Sequence, residues 1–505
     1  MSLFADRLVV DIGNVNMKRK SIFTRKSIDS FMETQGGDSH GLRRHLTSFH
    51  LTAIGIGAII GAGIFVIIGA ASANYAGPGV IVSFMIAAVI CLLTGLCYAE
   101  LSSLIPSSGG SYSYSYVAMG EFPAWIVGWT LTAQCLISAS TVAVGWSGYF
   151  ISLLNDFGIH LPTAFTQAPV AYNAAGGLSL SGAILNVPAL CLVALLGVLL
   201  CVGIRAAARF NNFMVILKLS AITLFILVGI PFINSENWVP FIPENTGIFG
   251  QFGWSGVVRA SGLVFFAYIG FDTVATLAQE SVNPQRDLPR GILGSLCIAT
   301  VVYIVTGLVL TGLASYTLLG VPDPMSIGLN ALGPALFWLK ILIKLMIWVG
   351  LTSVVLVQLL GQTRIFYAIS RDGLLPKAFA SVNSKLGTPV FATITTAIIS
   401  MIAASLFPIE VLGELVSMAT LFLFTIVCLG VLILRKTHPE YKRSFKVPFV
   451  PVLPILGMVA CIAQMSFLQR FTWMQFMGWL MVGLIIYFGY SVKKSHLRKH
   501  EITKV

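Results

Sequence analysis

Charge is what this sequence lacks. Only 10% of its 505 residues are Asp, Glu, Lys or Arg, against about 25% in an ordinary soluble domain. A water-soluble fold of this length needs several domains, each with a polar surface, and the polar residues are not there. Acids are scarcer than bases, 19 against 31, for a net charge of +12. The bases sit in short tails and loops between apolar runs, so the imbalance reads as membrane topology and not as a nucleic-acid surface. The eight cysteines form no CxxC pair and none stands in a hydrophilic loop. That pattern argues against a disulfide framework or zinc site and leaves small apolar packing residues. HExxH and GxSxG motifs are missing, and most of the seven histidines lie in tails or loops. No enzyme, resident metal or cofactor is therefore expected. No signal-peptide pattern precedes the first apolar run near residue 50. The stretch to Asn16 is nondescript, and Met17 of "MKRKSIF" is a candidate start.

Apolar residues make up 56% of the chain, with a mean hydropathy of +0.88. A membrane span needs about 20 mostly apolar residues. Twelve stretches qualify, near 50–72, 79–105, 122–153, 186–204, 210–233, 254–280, 290–319, 334–366, 388–407, 411–434, 450–469 and 473–491. With that count, 26 of the 31 lysines and arginines fall on one side of the bilayer, all but Lys218, Arg259, Lys340, Lys344 and Arg470. The opposite loops hold acids such as Asp156, Glu236, Glu244 and Asp323. Positive loops stay inside, so both termini are expected in the cytoplasm. The parts outside the bilayer are too small for a catalytic domain. The longest, about 154–185, is rich in glycine and alanine and need not hold more than a short helix.

One span carries an anomaly. "AIGIGAIIGAGIF", residues 53–65, has four glycines, which weaken a helix because they lose most backbone freedom on ordering. Close helix packing through Gly57-x-x-x-Gly61 is one explanation. The sixth span supplies a second anomaly, since "SGLVFFAYIGFDTVATLAQE" puts Gly270 and Asp272 in mid-run. An ionisable residue at membrane depth costs roughly 2.5–3.5 kcal/mol or more and so faces a cavity or a partner. A glycine-interrupted span in each half points to a transporter with inverted repeats, helices 1–5 and 6–10, with 11 and 12 appended. An unwound backbone frees N–H and C=O groups for a ligand. The half-helix that starts at Gly61-Ala62-Gly63 offers N–H groups and a positive dipole end to a carboxylate. Carbonyls near Ile59 and along Phe266–Ile269 offer acceptors to an ammonium. Together they match the α-carboxylate and α-amino groups of an amino acid.

"GIGAIIGAGIF", "PSSGGSYSYSYVAMGE", "FFAYIGFDTVATLAQE" followed by "NPQRDLP", and "GQTRIFYAISRDGLLP" resemble the amino acid–polyamine–organocation superfamily. Within it the chain is similar to the cationic amino acid transporter branch, including bacterial members, from about 40 to 490. The resemblance implies an all-α, leucine-transporter-type fold of 12 helices with a 5+5 inverted repeat and discontinuous helices 1 and 6. It divides the chain into a cytoplasmic tail (1–48), a ten-helix core (49–434, with repeats at about 49–233 and 253–434), a basic loop (435–449), two accessory helices (450–491) and a basic tail (492–505). The substrate carboxylate would meet Gly61, Ala62 and Gly63, and the ammonium would meet the carbonyls of Ile59, Phe266, Ala267 and Ile269. The Phe266 ring would close over the substrate. Lys218 can be read as snorkelling to the interface, yet it lies nine residues from Arg209, roughly 13 Å along a helix. In similar proteins a lysine here touches the unwound first helix in the place of a sodium ion, and it would gain and lose a proton. Loss of water disfavours a charged amine, which makes such cycling plausible.

Cationic or broad specificity is expected. Bacterial relatives that resemble the chain carry "GWDLILEY" in the third span, whereas residues 128–135 here read "GWTLTAQC". Thr130 replaces the aspartate and Gln134 the glutamate, leaving Asp272 as the negative group near the site and preference for arginine or lysine in doubt. The resulting expectation is proton-coupled, sodium-independent uptake of α-amino acids across a plasma membrane, the bacterial inner membrane by resemblance. The partners are the amino acid, the proton and the lipid bilayer, with no nucleic acid, in a monomer or weak homo-oligomer. Exchange of neutral amino acids and non-transporting sensing are the rivals; a channel is disfavoured because no repeated filter sequence occurs. Elsewhere, Glu100 is expected to cap or pack a helix end and Arg364 to anchor at the interface. Lys340 and Lys344 are expected to snorkel, and Tyr112, Tyr114 and Tyr116 to alternate along a loop.

Overall fold

A computed structural model describes residues 22–26, 46–107, 109–172, 178–202, 204–383 and 387–499. Most of the expected tail 1–48, the candidate start at Met17, Lys385 and the last residues of the basic tail lie outside them.

Apolar runs interrupted by Gly and Pro become helices interrupted at those residues. The helix Ser48–Ile59 ends at an extended Ile60, and helical turns resume at Gly63 and continue to Ala76. Gly77-Pro78-Gly79 then turns the chain into Val80–Leu104. Gly110–Met119 precedes the long helix Glu121–Asp156. Val187–Val202, Ile204–Gly229, Gly253–Val264, Phe271–Thr276 and Pro284–Leu313 follow, then Phe337–Arg371, Val390–Leu406, Ile409–Thr437, Val452–Ser466 and Arg470–Ile486. Among the described residues, eight helical stretches are long and apolar enough to cross a membrane, the 57-residue Ser48–Leu104 among them, and three apolar helices are shorter.

The lipid-facing surfaces are legible from exposure. Ile394, Ile398 and Ile402 repeat every fourth residue along Val390–Leu406 and are all exposed. Met474, Met477, Met481 and Ile485, spaced three or four apart, are likewise exposed on Arg470–Ile486. Apolar stripes of this extent are tolerated where the surroundings are hydrocarbon.

Two long helices form the spine of the interior. Glu121–Asp156 and Phe337–Arg371 run antiparallel, and their contacts fix the register. Lys340 reaches Asp156 at 3.0 Å, the Trp146 indole N–H donates to Thr352 at 3.0 Å, and Gln358 Nε2 donates to Ser138 at 2.9 Å. Further along, a methyl on Gly128 would meet Ile369 and Tyr112 at about 3 Å. The molecule thus has an end marked by Asp156 and an opposite, basic end marked by Asp372, Arg435 and Arg443.

Several expectations are revised. Tyr112, Tyr114 and Tyr116 lie on the helix Gly110–Met119 and not in a loop, all buried. The 154–185 connection carries an antiparallel pair, Val170–Tyr172 with Leu178–Leu180, beyond the single-turn Thr163–Phe165. Lys344 is buried against Asp156 and does not snorkel; the bilayer side of the molecule offers it no water, whereas the carboxylate does offer charge. Glu100 is a buried ion-pair centre, not a helix cap. Arg435 donates to both its oxygens at 2.9 and 2.6 Å, Arg443 lies 3.2 Å away, and the Val447 N–H donates at 2.7 Å. Arg364 is exposed, in keeping with an anchor.

Candidate functional site

The four glycines of the opening span divide into two roles. A methyl on Gly55 would fall 2.7 Å from Ser295, and one on Gly57 would fall 2.8 Å from Val215. These two serve close packing. Gly61 and Gly63 flank the break itself.

The Ile60 N–H still bonds the Ile56 carbonyl at 2.9 Å, but the backbone then extends (ψ 107°). The N–H groups of Gly61, Ala62 and Gly63 reach no backbone acceptor, and helical bonding resumes with Ile64 and Phe65 onto the Gly61 carbonyl, both at 3.3 Å. Those three N–H groups are the unfilled donors of a helix start. The carbonyls of Gly57, Ala58 and Ile59 are the unfilled acceptors of a helix end.

The second break answers the first. A short tight turn, Phe265–Tyr268, closes with Ile269 N–H on the Phe266 carbonyl at 3.2 Å. Ile269 is extended, and Gly270 takes φ 128°, which a side chain would oppose. The two breaks pack directly. A methyl on Gly63 would fall 2.3 Å from the Ala267 Cα, and one on Gly270 would fall 2.7 Å from the Ala58 carbonyl group.

Two side chains from other helices fill the orphaned carbonyls. The Tyr303 hydroxyl lies 2.9 Å from the Ile59 oxygen and 2.7 Å from the Ala267 oxygen. Lys218, buried on Ile204–Gly229, donates its ammonium to the Gly57 carbonyl. A cation at the C-terminal end of a half-helix also meets the negative end of its dipole. Tyr303 was not anticipated from sequence; a tyrosine in an apolar span gives no signal until its hydroxyl is located.

Beside the breaks is a small, partly open pocket. Of the expected residues, Ile59, Gly61, Ala62, Gly63, Phe266 and Ile269 line it. Ala267 packs behind Gly63. Gln134 and Asp272 are not among the lining residues; the Asp272 Oδ1 instead accepts the Gly270 N–H at 3.2 Å. Sequence reasoning missed Ala58, Ser138, Val142, Val354 and Gln358, which complete the wall. The lining contains no charged side chain. Among the described residues, no group of three or more His, Cys, Asp or Glu could hold a metal.

Below the pocket the basic end is shut. The Tyr112 hydroxyl donates to Asp372 at 2.6 Å, and Lys26 bonds the other Asp372 oxygen at 2.7 Å while lying 4.4 Å over the Tyr116 ring.

This arrangement, two broken membrane helices with bare peptide groups facing a small pocket, defines a solute carrier. The "Amino acid permease" family model matches residues 46–489. A methylthioribose transporter of Bacillus subtilis (strain 168) is 43% identical, over 95% of this chain and 100% of its own length. A branched-chain amino acid permease, BcaP, of the same organism is 41% identical, over 95% and 99%. A vacuolar cationic amino acid transporter 2 of Arabidopsis thaliana is 36% identical, over 83% of this chain and 64% of its own length. The chain belongs to the amino acid permease family of the amino acid–polyamine–organocation superfamily. It is a multi-pass membrane transporter and not an enzyme.

Proposed function

We propose that this permease carries neutral α-amino acids with apolar side chains, by alternating access, coupled to protons and independent of sodium. The observation that carries the reading is the pairing of three unfilled N–H groups at Gly61–Gly63 with a small wall of Val142, Val354, Phe266 and Ile269. The N–H groups suit a carboxylate. The Ile59 and Ala267 carbonyls, held by one shared hydroxyl hydrogen, keep lone pairs for an ammonium. A wall without an acid gives a lysine or arginine side chain no charge partner, so of the cationic or broad specificity expected from the sequence the neutral side is favoured. The similarity to a branched-chain amino acid permease agrees with this.

Sodium independence follows from Lys218, whose ammonium occupies the Gly57 carbonyl where a metal cation would otherwise coordinate. The same lysine is the proposed proton carrier. The architecture proposed is twelve spans, with a ten-helix core at 49–434 in two inverted five-helix repeats and accessory helices within 450–491. The basic end faces the cytoplasm of a bacterial cell, which places both termini inside.

A thermal-shift screen of the twenty amino acids on the purified protein tests the substrate class, since a ligand stabilises the state it binds. Leucine, isoleucine or valine should give the largest shifts. Arginine or lysine ranking first overturns the neutral reading. Counterflow in proteoliposomes without a proton gradient then separates symport from exchange: uptake that needs internal substrate and ignores pH favours exchange, while any robust uptake rejects a sensor.

A second reading rests on the relative that transports methylthioribose. A neutral sugar with a methylthio group also suits an uncharged wall with the Ser138 hydroxyl and Gln358 amide. Competition of methylthioribose against leucine binding decides between them.

A further inference from the structure

Four residues beyond the pocket, toward the basic end, the interior contains polar atoms with nothing to bond. Gln362 is fully buried, and neither its Oε1 nor its Nε2 has a partner. Gln134 is 3% exposed with an unpartnered Oε1. A buried amide without a hydrogen bond is costly, and a native interior rarely keeps several together unless something fills the space between them.

The helix register brings the two glutamines to one level. Ser138 and Gln358 bond across the antiparallel pair. One turn further on, toward Glu121 and Arg371, stand Gln134 and Gln362, roughly 6 Å along the axis at 1.5 Å per residue. Beyond them come Gly128 and Ile369, with Tyr112 also against Gly128, and then the Tyr112–Asp372–Lys26 contact. The unfilled set is one acceptor on Gln134 and a donor and an acceptor on Gln362.

We propose that Gln134 and Gln362 form a hydrated release station between the pocket and the Tyr112–Asp372–Lys26 contact, which binds water and through which the polar head of the leaving substrate passes. This rests on the transporter reading above. Water fits because the unmet groups number more than one donor and one acceptor, and a buried water makes about three bonds to such groups. An empty, purely structural gap does not fit, because an apolar side chain would then serve better at position 362. Replacing an unpaired buried amide by a group of similar shape is neutral or stabilising when nothing binds it.

The test uses the full-length protein in proteoliposomes with L-leucine as probe. Gln362→Leu should lower maximal uptake by about tenfold, the effect of roughly one hydrogen bond lost on the release path. The equilibrium dissociation constant for leucine, set at the pocket, should stay within about twofold, and the melting temperature should hold or rise. Gln362→Asn, which keeps an amide, should restore much of the rate. Should the leucine variant fold poorly, Gln362→Met takes its place as an unbranched apolar substitute. A separate readout needs no substrate: Gln362→Cys, in a background without the eight native cysteines, should react with a water-soluble methanethiosulfonate reagent applied from the basic end. Wild-type uptake in Gln362→Leu, affinity falling in step with rate, or a thiol at 362 that resists the reagent overturns the station. Absence of leucine uptake by the wild type overturns the substrate reading instead and leaves the thiol result to decide this one.

Discussion

The Tyr303 hydroxyl sits 2.7 Å from the Ala267 carbonyl and, with the same hydrogen to share, 2.9 Å from the carbonyl of Ile59. One side chain on Pro284–Leu313 therefore staples the ends of both broken helices. A hydroxyl has one proton to give, so each carbonyl is only partly served. The contact holds the pocket's acceptors in place without exhausting them.

Tyr303→Phe removes that donor and leaves two carbonyls facing an apolar ring. Unmade bonds to buried groups cost about 1–3 kcal/mol, so the ligand-free protein should melt lower. A bound ammonium can take over the vacated lone pairs, and the shift produced by saturating leucine should grow. If the ligand-induced shift is the same in both proteins, the ammonium does not bind at these carbonyls.

Gly63 and Gly61 should respond oppositely to alanine. A methyl at 63 falls 2.3 Å from the Ala267 backbone, where neither half-helix can yield without moving the other. Forced overpacking costs about 1–3 kcal/mol, and here it parts the two breaks, so Gly63→Ala should abolish leucine binding. At Gly61 the nearest atoms are the Val354 methyls at 3.4 and 3.5 Å, nearly ordinary contact. Gly61→Ala should fold and bind with a loss below about 1.4 kcal/mol, or tenfold. Calorimetric titration of both variants checks the contrast, and equal losses would refute the packed-break geometry.

Lys218→Met keeps an unbranched side chain beside Gly350, where the lysine stem now packs, but takes the cation off the Gly57 carbonyl. Leucine uptake should lose its pH dependence. The readout is initial rate against pH across the neutral range, for the variant and wild type in the same lipid. A variant profile that still follows the wild-type curve removes Lys218 from coupling.

Selectivity should follow Gln358 more than Gln134. An acid in the wall attracts a cationic side chain by roughly 1–4 kcal/mol, depending on the local dielectric. Gln358→Glu should raise the uptake ratio of lysine to leucine strongly. Gln134→Glu should raise it less, because Gln134 stands a turn away from the lining. A larger effect at 134 means that the substrate side chain reaches toward the basic end.

The breaks were legible because glycine in an apolar run conflicts with helix propensity wherever it occurs, and a carboxylate at Asp272 conflicts with hydrocarbon. Local conflicts of this kind leave a mark in one segment of chain. Partnerships left none. Glu100 reads as an isolated acid until Arg435 and Arg443 are brought to it from more than three hundred residues away. "SYSYSY" reads as an alternating loop, because tyrosine and serine are weak helix formers; burial of all three rings in the packed interior makes it a helix.

From sequence alone came the membrane class, the position of both interruptions and the lysine one helix away. Each is a statement about one segment against its solvent, and hydrophobic periodicity and backbone propensity act on segments. Packing alone decided which walls face the breaks: Ser138, Val142, Val354 and Gln358 meet there only because Glu121–Asp156 and Phe337–Arg371 lie antiparallel in one register. A shift of either helix by a turn would present other side chains to the same peptide groups, and no local rule of the chain fixes that shift.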